Sequence, residues 1–175
     1  EGATDKTVGR MQIRPEQAGD VAAIRDVTAA AFANAPHSEQ TEPAIVDALR
    51  KAGGLSLSLV AEDDDRIVGH VAFSPVTIDG QDGDWLGLGP VSVDPARQRQ
   101  GIGADLIRAG LENIRSSGAD GCVVLGDPSY YGRFGFVSDP KLTYPDVPAS
   151  YFQRLVFSDV EPVGTVTFHP GFSAR

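Results

Sequence analysis

The chain has 175 residues, within the usual range of one domain and long enough to bury a core of its own. It carries 15 Lys and Arg against 24 Asp and Glu, a net charge of −9, which excludes a general nucleic-acid binder with its basic stripe. No apolar run approaches the ~20 residues of a membrane span, no signal-peptide pattern opens the chain, and the single cysteine, Cys122, excludes an internal disulfide and suits a reducing, cytoplasmic setting.

The only methionine is Met11, and MQIRPEQ reads as a natural start. Residues 1–10 are therefore expected to be an upstream extension or a cloning remnant, and 11–175 one domain. MQIRP reads as a short first strand. In VAAIRDVTAAAFANA, apolar residues fall near helical spacing, with Asp20 as the expected cap and Pro36 as the stop. EPAIVDALRKAGG is a second helix, with Pro43 in its first turn and Gly53-Gly54 past its end.

The period then changes. LSLSLVAED alternates apolar and polar residues, Asp63 to Asp65 turn the chain, and RIVGHVAFSPVTI is a β-branched partner, so the two form a hairpin. WLGLGPVSVD is the next strand. ADLIRAGLENIRSSG is an amphipathic helix, with Ile107, Leu111 and Ile114 on one face and Gly118 past its end. GCVVLG is a short apolar run of the kind buried on both faces of a sheet. Strand, helix and strand make a βαβ unit with parallel strands. SYYGRFGF is a short helical turn, and RLVFSDV and GTVTF add one or two strands. The order predicts a mixed α/β domain.

Gly101 and Gly103 lie where the strand gives way to the helix. A helix start carries unpaired N–H groups and partial positive charge, and glycine removes the Cβ atoms that would keep a pyrophosphate away. Arg97 and Arg99 add charge beside it. The spacing excludes two other nucleotide loops: Leu106 stands where a dinucleotide fingerprint needs its third glycine, and no Gly-Lys-Ser/Thr follows. By itself, Gly-x-Gly before a helix also fits a plain tight turn.

The flanks narrow the choice. Gln98-Arg99-Gln100-Gly101-Ile102-Gly103 matches Gln/Arg-x-x-Gly-x-Gly/Ala, follows VSVDP, and is answered downstream by YYGRFGF. With VGHVAFSPV and LGPVSVDPARQRQGIG, these motifs resemble the GNAT superfamily of acetyl-CoA-dependent N-acetyltransferases, and the YhbS-like branch in particular. The resemblance spans most of Met11 to Phe172. It implies the GNAT acyltransferase fold, an α/β mixed sheet of about six to seven strands with about four helices.

It also implies roles. Gln98, Arg99, Gln100, Gly101, Ile102, Gly103 and Ala104 would hold the coenzyme A pyrophosphate on backbone amides. Val91, Ser92 and Val93 would pair with the pantetheine arm as though it were an added strand. Tyr131, four residues before the family's Gly-Phe pair at Gly135-Phe136, takes the general-acid position, with Tyr130 as fallback and space-filling between helix and sheet as the alternative. The family often carries an Asn ahead of this tyrosine; Gly126-Asp127-Pro128-Ser129 stands there instead. For the base, His70 is the first candidate because histidine titrates near neutral pH, and Glu62 the second. A histidine bonded within the sheet and a solvated strand end are their respective alternatives. His37, Glu39 and Glu42 lie in the stretch joining the first two helices, where a solvated loop is the simpler reading. Cys122 and Trp85 read as core, and His169 is too isolated for a metal site.

The expected activity is direct acetyl transfer from acetyl-CoA to a primary amine, with no metal, nucleic acid or membrane. The alternatives are a non-catalytic coenzyme A sensor and an enzyme using a longer acyl chain. Edge strands in the tail make a homodimer plausible.

Overall fold

The computed structural model describes residues 11–36 and 38–175; the extension expected over 1–10, and His37, lie outside them. Nine strands and four helices are present among the described residues. A six-stranded sheet is built from β1 (Met11–Pro15), β2 (Leu57–Asp63), β3 (Arg66–Pro75), β5 (Trp85–Val93), β6 (Gly121–Leu125) and β8 (Phe152–Val156). Its spatial order is β1-β2-β3-β5-β6-β8. The alternation of Leu57 to Pro75 does produce the expected hairpin. Asp64 and Asp65 join β2 to β3 with φ of 48° and 63°, the paired left-handed geometry that matches strand twist in a two-residue turn.

The helices are α1 (Val21–Phe32), α2 (Glu42–Lys51), α3 (Ile102–Ser116) and the single turn α4 (Pro128–Tyr131). α3 lays Leu106, Ile107, Leu111 and Ile114 on the core with Leu59, Val71 and Phe73. On a separate cluster, Ile24 of α1 and Val46 of α2 cover Val60 of β2. Each apolar helix stripe thus has a sheet to bury against, the main source of helix stability in a folded chain. Asp20 does not cap α1. Its carboxylate takes two bonds from Arg14, at 2.7 and 3.1 Å, and one from the Gln17 N–H at 2.7 Å. A full guanidinium charge outcompetes the weaker pull of helix N–H groups.

The tail departs further from the simple reading. VTI does not extend β3: Val76 breaks the run, and β4 (Thr77–Ile78) turns away. β4 joins β9 (Gly164–Thr167) and the unforeseen β7 (Leu142–Thr143) in a second, three-stranded sheet. This small sheet packs its own core of Val76, Trp85, Leu142, Phe152 and Val166.

One feature of the main sheet positions the site. β5 and β6 are parallel, as the βαβ reading requires, but they pair only from Trp85 to Gly87 against Gly121 to Val123. Beyond that point the two strands part. β5 runs on to Val93 with one edge bonded to β3 and the other open.

Candidate active site

The opening between β5 and β6 exposes main chain. Asp94 N–H bonds to Val68 O of β3 at 2.8 Å. Strand hydrogen bonds alternate in direction, so Ser92 also faces β3, while the N–H groups of Val91 and Val93 face the opening. Val93 O is already taken by Gln98 Nε2 at 3.2 Å, which folds the loop back onto the strand. Of the three strand residues expected to meet a pantetheine arm, two present their backbone to the gap and Ser92 does not. Its side chain is buried as well, directly across from His70.

The glycine loop stands at one end of this opening. Gly101 begins α3 with φ of 84°, a conformation that costs other L-residues about 1–2 kcal/mol. A Cβ there would touch nothing within 4 Å, so its backbone is bare on the open side. The N–H groups of Ile102, Gly103 and Ala104 have no acceptor among the described residues; the first helical bond is Asp105 N–H to Gly101 O at 3.0 Å. These are the orphan donors of a helix start, reinforced by its dipole. The Ile102 side chain is buried against Gly69, so only its backbone serves the loop. Arg97 is committed elsewhere, bonded to Asp63 at 2.7 Å and to Gln100 Oε1 at 3.2 Å. Arg99 is exposed and has no carboxylate within salt-bridge distance among the described residues, so it is the available cation.

A narrow cleft runs from this loop along β5. Gln98, Gly103, Val91, Val93, Tyr130 and Tyr131 line it. Phe32, Val91 and Tyr131 also line a wider chamber, so cleft and chamber, together the channel, adjoin at the tyrosine. Asp127 sets the geometry: its carboxylate accepts from Ser129 N–H at 2.9 Å and Ser129 Oγ at 2.7 Å, capping the turn that carries Tyr131. The Tyr131 ring lies against Gly126 so closely that a Cβ at 126 would collide with it. It meets Tyr130 and Phe136 edge-on, with centroids 5.0 and 6.0 Å apart. Burial pushes the phenol up to about 12, with Tyr130 and Cys122 adding to the effect, so it stays protonated at any physiological pH. Gly126 and Asp127 thus seat and cap the turn that carries Tyr131.

The two base candidates are elsewhere. His70 is fully buried on β3, and its Nε2 lies 2.8 Å from Ser58 Oγ. Ser58 gives its one proton to Glu16 Oε1 at 2.7 Å, so it can only accept from His70. Nε2 therefore carries the hydrogen. Burial lowers the imidazole to about 4, against the opposing pull of Glu16, and the ring lines no part of the channel. Arg50 and Ser58 outweigh the effect of burial on Glu16 and hold that carboxyl below the usual range. Glu62 is bonded to Arg14 at 2.6 Å on the outer strands, beside Asp20 rather than Tyr131. The structure brings neither to the tyrosine. It does bring Glu42, which lines the chamber with Tyr131. Its neighbours in the sequence made it look like part of a solvated loop; only α2's placement shows otherwise. Cys122 and Trp85 are core, as expected, and burial pushes the thiol up.

Comparison with known proteins agrees with this geometry. Residues 12–138 match the family model described as an acetyltransferase (GNAT) domain. An uncharacterized N-acetyltransferase of Escherichia coli K12, YhbS, is 37% identical over 139 residues, 75% of this chain and 83% of that protein. The crystal structure of YhbS with CoA superposes with a TM-score of 0.87 at 34% identity, covering 98% of this chain and 96% of that one. A GNAT family acetyltransferase from Brucella melitensis, solved with acetyl-CoA, is 52% identical with a TM-score of 0.84, covering 93% of this chain and 98% of that one. A strand pair that parts beside a glycine-opened helix start, with motif and sequence in agreement, identifies this chain as a member of the GNAT acetyltransferase family.

Proposed function

We propose that this chain moves an acetyl group from acetyl-CoA directly to a primary amine. The observation that carries the reading is the parted β5 and β6, which connects a bare helix start to a protonated, half-buried tyrosine. The bound acetyl-CoA of the Brucella relative and the CoA of the YhbS structure support it. The residues present fit the donor. The Ile102, Gly103 and Ala104 N–H groups and Arg99 suit a pyrophosphate, and the Val91 and Val93 N–H groups suit the amide-bearing arm.

The reaction needs no enzyme-bound acyl group. Cys122, the only cysteine, is buried and its thiol is held protonated. The acceptor ammonium first loses one proton, and its lone pair bonds to the thioester carbon while the carbonyl π pair moves to oxygen. In this reading a β5 N–H on the open edge receives that oxyanion. The C–S bond then breaks, and its electron pair leaves on sulfur. Tyr131 donates its hydroxyl proton to that sulfur. A phenol near 12 does not yield to a thiol of ~8.5 unaided. The transfer goes forward because the newly bonded nitrogen, now strongly acidic, returns a second proton to Tyr131. The products are an N-acetyl amine, free CoA thiol and one proton released to water.

Titrating acetyl-CoA into the protein by calorimetry, then following free thiol with a panel of amines, tests the reading. Tight binding with amine-dependent thiol release is expected. Binding without release to any amine would reduce the protein to a coenzyme A sensor.

A further inference from the structure

The channel does not end at Tyr131. Past the tyrosine it widens into a chamber of about 480 Å³, the size class of small-molecule sites. Its far wall is aromatic. Tyr144 meets Phe168 edge-on at 5.2 Å, and Phe168 meets Phe172 at 5.3 Å, with Phe32 and Ile45 also in the lining. Glu42 is the one charged side chain among the described residues lining it. The first turn of α2 carries Glu42, and Ser38 Oγ donates to its Oε2 at 2.8 Å, which steadies the carboxylate. A helix dipole accounts for an acid in a first turn. It does not account for that acid lining an aromatic chamber beside a protonated tyrosine.

The chemistry of this wall is selective. One carboxylate matches one ammonium. A second positive charge, as on a polyamine, would find no second carboxylate in the lining, and a sugar's several hydroxyls would meet only the Tyr131 and Tyr144 hydroxyls and main chain among mostly apolar side chains. A flat apolar body gains both area burial and edge-to-face contacts from Phe168 and Phe172. Resting on the acetyl-transfer reading above, we propose that the chamber is the acceptor site for an arylalkyl primary amine. Glu42 holds its ammonium and takes the first proton, freeing the nitrogen lone pair; that proton then passes to water. Glu42, rather than His70 or Glu62, serves as the base.

The test uses the full chain with acetyl-CoA and three amines: 2-phenylethylamine, cadaverine and glucosamine. The kcat/KM for 2-phenylethylamine should exceed both others on the order of tenfold or more. Phe172→Ala should erase most of that preference, lowering kcat/KM for 2-phenylethylamine about tenfold more than for cadaverine. Glu42→Gln should lower kcat/KM for 2-phenylethylamine by roughly 10²–10⁴-fold, with acetyl-CoA affinity intact, and Glu42→Asp should recover part of it. Calorimetric binding of 2-phenylethylamine to the CoA-loaded protein should vanish in Glu42→Gln. That last result holds even if no amine is turned over, in which case the acceptor site stands and the transfer reading falls. A preference for cadaverine or glucosamine, or Glu42→Gln equal to wild type in both turnover and amine binding, overturns the proposal. Neither binding nor turnover of any amine overturns both readings.

Discussion

Replacing Tyr131 by Phe removes one oxygen from a ring that the fold already holds. The ring keeps its seat against Gly126 and its edge contacts with Tyr130 and Phe136. The hydroxyl has no protein partner among the described residues, so its loss strands no buried group, and stability should change by less than about 1 kcal/mol. Burial raises the phenol from 10.0 to about 12, which corresponds to roughly 3 kcal/mol disfavouring the phenolate. The group therefore stays protonated throughout the working range, as the proposed acid must. General acids contribute about 10²–10⁴-fold, so kcat should fall at least about 100-fold. Steady-state thiol release measures this, with acetyl-CoA affinity by calorimetry as the control. The pH profile supplies a sign. A donor that deprotonates only near 12 takes no activity away between pH 7 and 10, where amine deprotonation makes the rate climb. An unchanged kcat, or a decline near pH 8–9 that disappears in Tyr131→Phe, would refute the reasoning.

Further outcomes follow from the same geometry. Gly126→Ala drives a methyl into the Tyr131 ring, so both the thermal midpoint and kcat should drop, with a stability loss of about 1–3 kcal/mol in chemical unfolding. Gly103→Ala meets only ordinary contacts, Val93 at 3.5 Å and the Tyr130 hydroxyl at 3.7 Å, so the variant should fold like wild type yet bind acetyl-CoA more weakly. Wild-type affinity in calorimetry would remove the phosphate cradle from that turn. His70 is buried neutral, with its folded value near 4 and an unfolded value of 6.5. Unfolding therefore takes up a proton in that window, and stability is lost as pH falls from 6.5 toward 4, by on the order of 3 kcal/mol. Urea midpoints should show a shallower acid slope for His70→Asn than for wild type. An activity limb near 6.5 that vanishes in the same variant would restore His70 as a base.

Local patterns in the chain were enough to set most of its elements and to single out the turn proposed as the donor site. Alternation marked β2 and β3, a helical stripe marked α3, and the spacing from Gln98 to Gly103 marked the turn whose backbone lies bare. These features are short-range: strand period, helix face and a left-handed glycine are properties of a few adjacent residues. Tyr131, the proposed acid, was singled out for the same reason, through its distance in sequence from Gly135-Phe136. The proposed base was not. His70 and Glu62 were named for residue type, but their neighbours come from afar: Ser58 and Glu16 enclose the first, and Arg14 holds the second. Glu42 reaches the chamber only because α2 packs on α1 and on the turn at Pro170–Ser173, and the tail returns Phe168 and Phe172 from the far end of the chain. Ionisation and access depend on what surrounds a side chain, and packing between distant segments decides that.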